Sequence, residues 1–319
     1  MLSVQSEHEY EDLLGLWSDL EAGVAVILGS PAGVQEFAQR VWQYDRWMQD
    51  LLRRDADVGL YLLFQLAGSS SVGYSASHAL VCAVLCHLTA IEMQLAQVER
   101  DALVHAALTM NIAMTNLQDE LTGRPGPPSS LQNDAIRIHP AKGAMMLSDI
   151  GVDDALWIGT VAAHHDESDE QRGLQSLEPP RRLARIVRSV DRYGAMISPR
   201  KARAGLSATD SMRSVLSQPG AGGEVGRALV RTVGLCPPGT YVQMDNGEIA
   251  VVMRRSPKAN HPHVAIVLNE TGQPCAQPRL HRTAQGGPQI RSAMAAGSVR
   301  ARLNHHLILQ LGAYAGRQA

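Results

Sequence analysis

Five side chains able to bind a metal, His78, His139, His164, His165 and Asp191, are spread along a stretch in which nearly every segment has helical periodicity. For these residues to meet, several helices must pack around one cleft. Residues 73–234 read as successive helices, with connecting loops at residues 121–130, 151–154 and 171–180, where Gly, Pro, Ser and Asp cluster. His78 and Asp191 fall in separate helical runs. His139-Pro140, followed by Gly143, reads as the start of another helix, and His164-His165 close the run that begins at Ala155.

The flanks differ in character. Leu13, Leu14, Trp17 and Leu20, then Phe37, Val41 and Tyr44, recur at three and four and indicate amphipathic helices. Ser30-Pro31 looks like a cap followed by proline at the first helical position. Gly68 to Ser71 breaks the pattern. After Gly234, residues 240–244 and 249–254 are strand-like and flank Asp245-Asn246-Gly247-Glu248, where Asn-Gly favours a type I′ hairpin turn. Residues 263–268 offer a third strand, residues 283–298 are rich in Gly, Ala and polar side chains, and residues 303–313 suit one more helix. The expected architecture is mainly α. An N-terminal helical region (1–68) precedes a helical core (69–234), a small β extension (235–280) and a tail (281–319) with a terminal helix.

Composition excludes several classes. Of 319 residues, 45% are hydrophobic and 19% charged, as in ordinary globular chains. The net charge of -2 provides no general attraction for a nucleic-acid polymer. Arg282, Arg291, Arg300 and Arg302 in the tail lie among Gly and Ala without aromatic residues for stacking on bases. Cys82, Cys86, Cys236 and Cys275 form no CxxC pair, which favours a reducing compartment over a disulfide framework. The N-terminus carries acids where a signal peptide needs basic residues, and no run nears the roughly 18 uninterrupted apolar residues of a spanning helix. The expectation is a cytoplasmic protein without a membrane span.

Several pieces occur in a specific order: Tyr74-Ser75-x-x-His78, Ala106-Ala107-Leu108, Arg124-Pro125-Gly126-Pro127, Ile138-His139-Pro140-x-x-Gly143, Ala163-His164-His165, and Arg185-Ile186 leading to Asp191-x-Tyr193-x-Ala195. Together they resemble the HD-GYP family, the branch of the HD phosphohydrolase superfamily that hydrolyses cyclic di-GMP. The resemblance covers about residues 74–268 and implies an HD-domain-like helical bundle. It implies that His78 and Asp191 are outer ligands of one metal, and that His139, His164 and His165 are ligands of its neighbour.

Met110 and Asn111 stand where the family has its His-Asp doublet. The family's aspartate bridges both ions, whereas asparagine brings a carbonyl dipole and no charge. Two cations about 3.5–4 Å apart repel strongly unless anions lie between them. The half-sites are therefore unequal: His139, His164 and His165 form the stronger metal set, while His78, Asn111 and Asp191 form the weaker one. The expected cofactor is one divalent ion (Zn, Fe or Mn) or none.

Other departures touch phosphate handling. Residues 169–174 lack the Gly-Tyr-Pro tripeptide, and Met114 replaces the lysine that commonly follows the doublet. Ser198, Arg200 and Arg203 keep the register of the family's basic element, which implies that Arg200 and Arg203 bind phosphate. The plain alternative is a solvated basic helix end, since Arg185, Arg188, Arg192 and Lys201 are neighbours. His78, Cys82 and Cys86 share a helical stripe at i, i+4 and i+8, yet Val81, Leu85 and Leu88 favour a core helix over a zinc site. Met110, Met114, Met145 and Met146 are read as core filler.

The reading is a divergent HD-GYP-like signalling protein that binds a cyclic dinucleotide or a protein partner with weak or no hydrolysis. Its alternatives are an active metal-dependent cyclic di-GMP phosphodiesterase with a rearranged site, and an interaction scaffold without ligand. The N-terminal helices are candidates for covering the core or for homodimerisation.

Overall fold

The structure, a computed structural model, describes residues 4–66, 72–168, 170–198, 205–258, 260–299 and 303–317. The break at Gly68 to Ser71 and the residues Asp169, Arg200, Lys201, Arg203, Arg300 and Arg302 lie outside the described residues. As expected, the chain is mainly helical with a small C-terminal antiparallel sheet. The helices are α1 (Val4–Gly29), α2 (Phe37–Leu66), α3 (Tyr74–Glu92), α4 (Gln97–Thr109), α5 (Thr115–Gly123), α6 (Ser130–Asp149), α7 (Ala155–Ala163), α8 (Pro179–Ile197), α9 (Ala208–Leu216), α10 (Ala221–Val233) and α11 (His305–Arg317).

Helix α3 is the hub. It is apolar on almost every side, and residues 75–86 are all buried, so it packs against α1, α2, α4, α5, α8 and α10 at once. Its length and composition would suffice to cross a membrane, but most of it is enclosed by these neighbours. Trp17, Leu20, Leu60 and Tyr61 from the first two helices join Leu80, Leu85, Leu103, Ile186 and Tyr193 in one apolar cluster. Helix α2 kinks at Asp55, whose carboxylate accepts the backbone N–H groups of Asp57 and Val58, each at 3.1 Å, and restarts the helix.

The strands β1 (Tyr241–Met244), β2 (Ile249–Arg254), β3 (His263–Leu268), β4 (Pro274–Arg282) and β5 (Ile290–Met294) form one sheet in the order β4-β3-β2-β1-β5. Neighbouring strands run antiparallel, with Val242 opposite Ala250 and Val251 opposite Ala265. Alternate residues split between two clusters: Val251 and Met253 join the helical core, whereas Ala250 and Val252 pack on the other face with Val242, Val264 and Ile266. Two ion pairs tie the sheet to the kink in α2, Arg254 to Asp55 at 2.6 Å and Arg255 to Asp57 at 2.5 Å.

Local details correct several expectations. Ser30-Pro31 opens only the 3-10 turn Pro31–Gly33, without a side-chain cap, and α2 begins at Phe37. Asn246 has no positive φ, so the β1–β2 turn is not type I′. Gly247 is left-handed (φ 92°) and its N–H reaches Met244 O at 3.1 Å, the pattern of a type I turn closed by a glycine bulge. Beyond the three expected strands, β4 forms, and β5 pairs with β1 inside the stretch read as a tail. Its weak alternation gains order from the open edge of β1, a tertiary effect. Met145 is exposed and no core filler.

Candidate metal centre

His139-Pro140 does not begin a helix. Helix α6 starts nine residues before His139, at Ser130, where Ser129 and Gln132 form a reciprocal capping box. Pro140 is therefore inside the helix and brings no N–H to the carbonyl four residues back, that of Ile136. His139 fills this gap: its Nδ1 lies 2.5 Å from Ile136 O. With Nδ1–H donated there, Nε2 is left as an acceptor that points away from its own backbone.

His164 is fixed in the same way by a different cause. Asp154 caps α7 through the N–H groups of Leu156 and Trp157, and the helix ends at Ala163, so the Val161 carbonyl is among those left over in the last turn. His164 Nδ1 lies 2.7 Å from it. The Nε2 atoms of His139 and His164 then face each other at 3.1 Å. His165, exposed at the mouth, places its ring 5.1 Å from His139 and 4.2 Å from His164 between centroids.

Burial dominates the electrostatics of this trio. It pushes His164 down to about 3, helped by the neighbouring His165, and it lowers His139 and His165 as well. All three are neutral near pH 7, the form that ligates metals. Two acceptor lone pairs aimed at each other inside a buried cleft repel unless a cation sits at their focus. The donor set thus fits a divalent ion, and three imidazoles with further positions open are a known zinc or iron arrangement.

A second group adjoins the first. His78 on α3 is 2.7 Å from Asp191 Oδ1 on α8 through Nε2, and its ring stacks on Tyr74, whose hydroxyl is 3.4 Å from Nδ1. Burial by itself would raise the Asp191 carboxyl, but the hydrogen bond and charge of His78 outweigh it and hold it at about 2. Cys82, one turn along α3, places Sγ 3.6 Å from His78 Nε2. The thiol is fully buried, as core packing requires, and it also belongs to this polar group.

Met110 and Asn111 fall in the break between α4 and the 3-10 turn Ile112–Met114. Gly143 of α6 faces this turn: a Cβ there would make ordinary van der Waals contact with Ile112 at 3.5 Å and the Met110 carbonyl at 3.8 Å. Met110 is buried; Asn111 and Met114 are half-buried. Arg188 emerges as a residue that the sequence reading left among solvated basics. Its guanidinium acts on His165, is held by Glu167 and Glu170, and keeps Nη1 buried without a hydrogen-bond partner among the described residues.

A helical bundle whose cleft brings together three imidazoles, two of them buried, beside a His-Asp pair belongs to the class of candidate metalloproteins. Comparison with curated proteins finds a similar chain, the cyclic di-GMP phosphodiesterase PA4108 of Pseudomonas aeruginosa, 30% identical over 154 residues. The aligned part covers 47% of this chain and 37% of that enzyme, so the relationship is distant and spans well under half of the relative's length. No family model and no solved structure matches the chain.

Proposed function

We propose that this chain is a divergent, HD-GYP-like signalling protein that holds a divalent ion on His139, His164 and His165 and binds cyclic di-GMP with weak or no hydrolysis. The observation that carries the reading is the pair of facing Nε2 atoms, 3.1 Å apart, each ring committed through Nδ1 to its own helix backbone. The partial match to a cyclic di-GMP phosphodiesterase supports the choice of ligand.

When bound, such an ion supplies Lewis acidity and a lowered pKa for coordinated water. The chain's own residues do the rest. His139 and His164 fix the floor of the cleft, and His165 stands at its entrance. Arg188 offers a forked cation to a phosphodiester; the sequence resemblance assigns the same role to Arg200 and Arg203. The doublet position works against turnover, because Met110 offers no nitrogen and Asn111 no charge with which to pair two cations.

Calorimetric titration with cyclic di-GMP, with and without Mn(II) or Zn(II), run beside a turnover assay, tests this. Metal-dependent binding with slow or undetectable product is expected. Turnover above about 1 s⁻¹ that is abolished in His164→Ala would make the chain an active phosphodiesterase instead. Silence in both assays would leave an interaction scaffold. One observation favours the active reading, the thiol of Cys82 beside His78 and Asp191.

A further inference from the structure

We propose that Cys82 is a metal ligand and completes, with His78 and Asp191, a second cation site of His-Cys-Asp composition suited to zinc. The proposal rests on the reading of the cleft as a metal centre and adds to it a site that the doublet substitution alone would argue against.

The geometry is the first support. One ligand atom from each of His78, Cys82 and Asp191 lies within 4.8 Å of the other two. Zinc bonds of about 2.1 Å to nitrogen and 2.3 Å to sulfur, opened to the tetrahedral angle, hold the two donors roughly 3.6 Å apart. Cys82 Sγ and His78 Nε2 are separated by 3.6 Å. Their i, i+4 placement on α3 puts both on one face of that helix, and α8 brings the carboxylate from across the cleft. His78 Nε2 and Asp191 Oδ1, at 2.7 Å, share a proton where the ion would sit, so metal entry requires that they part by several tenths of an ångström.

The second support is the accounting of protons and charge. His78 must free Nε2, and the Tyr74 hydroxyl oxygen, 3.4 Å from Nδ1, is placed to accept a hydrogen bond from Nδ1–H once the tautomer changes. The Cys82 S–H bond breaks, its proton goes to solvent, and the sulfur lone pair forms the bond to the metal. The thiolate and the Asp191 carboxylate then neutralise a dication in a site where Cys82 is 0% and His78 2% exposed. The negative charge that Asn111 lacks is thus recovered from a different helix. Sulfur also sets the selectivity, since thiolate favours zinc and cobalt over manganese or magnesium.

The test is cobalt(II) titration of the full chain, read by absorption. A thiolate-to-cobalt charge-transfer band in the near ultraviolet is expected. It should persist when Cys86, Cys236 and Cys275 are all replaced by Ser, and vanish in Cys82→Ser and Cys82→Ala. Zinc content should be near two ions per chain in the wild type and near one in either Cys82 variant, with melting curves reporting whether they fold. Zinc X-ray absorption on the wild type reads a sulfur neighbour at about 2.3 Å without any Cys82 variant. Cobalt binding with ligand-field bands alone, or a charge-transfer band that survives loss of Cys82, overturns the proposal while leaving the three-histidine site standing. His164→Ala separates the two, because it should remove the histidine-bound ion and spare the sulfur band.

Discussion

His139 and His164 present Nε2 to Nε2 at 3.1 Å, and neither ring can donate across the gap, because each Nδ1–H is bound to a carbonyl that its own helix leaves free. For His164 the free carbonyl comes from the end of α7. For His139 it comes from a proline placed in mid-helix, where it would ordinarily be costly.

That cost suggests a measurement. Pro140→Ala returns a backbone N–H to the Ile136 carbonyl, so the helix bond competes with His139 Nδ1 for the same acceptor. Metal affinity should fall by about 10-fold or more, the usual effect of losing an outer-shell partner. The melting temperature of the metal-free protein should rise or hold, since an interior proline costs about 3 kcal/mol relative to alanine. Opposite movement of the two readouts is the expected signature; a parallel loss of both would show that Pro140 matters for packing alone.

The doublet position allows a gain-of-function test. Met110→His combined with Asn111→Asp puts nitrogen and carboxylate donors back at the break between α4 and the 3-10 turn, next to Gly143. Cyclic di-GMP turnover should increase by more than about tenfold, a barrier change of about 1.4 kcal/mol. Asn111→Asp alone should gain less. No increase in the double variant, with metal content unchanged, would count against the missing doublet as the reason for the proposed weak hydrolysis.

Acid should destabilise the fold well before its carboxylates titrate. Burial lowers His87, His263 and His305, with nearby arginines adding to the shift at the first two. Above the unfolded value near 6.5 both states are neutral at these rings, and their contribution is complete. As the pH falls below about 6.5 the unfolded chain takes up protons that the folded chain refuses, so stability declines until the lowered folded values are passed. The slope per ring is at most about 1.4 kcal/mol per pH unit. Thermal melts in chelator between pH 7.5 and 5 should show this decline, and His263→Asn should make it shallower.

The sequence carried the helical frame and the hairpin at Asn246-Gly247, because those rest on periodicity and local turn chemistry. It misplaced the start of α6, since a proline usually marks a boundary and here marks a carbonyl set free for His139. It missed β5, whose order comes from pairing with β1. Cys82 was the hardest case. A buried thiol on an apolar helix looks like packing from its neighbours in sequence, and only the approach of Asp191 from α8 shows that it shares a polar focus.

Arg188 is the remaining residue that only three dimensions single out. Its guanidinium is mostly buried beside His165, braced by Glu167 and Glu170, with Nη1 lacking a partner among the described residues. An unsatisfied buried donor costs stability and persists where something else uses it, which under the proposed function is the phosphodiester of cyclic di-GMP. Loss of one charge-assisted hydrogen bond is worth about 1.5–3 kcal/mol, so Arg188→Ala should weaken cyclic di-GMP binding by roughly 10- to 150-fold while leaving metal content intact. Arg188→Lys should recover only part of this, because an ammonium keeps the charge and loses the fork. Isothermal titration of both variants decides the matter, and unchanged affinity in Arg188→Ala would reduce the residue to a brace for the loop that carries Glu167 and Glu170.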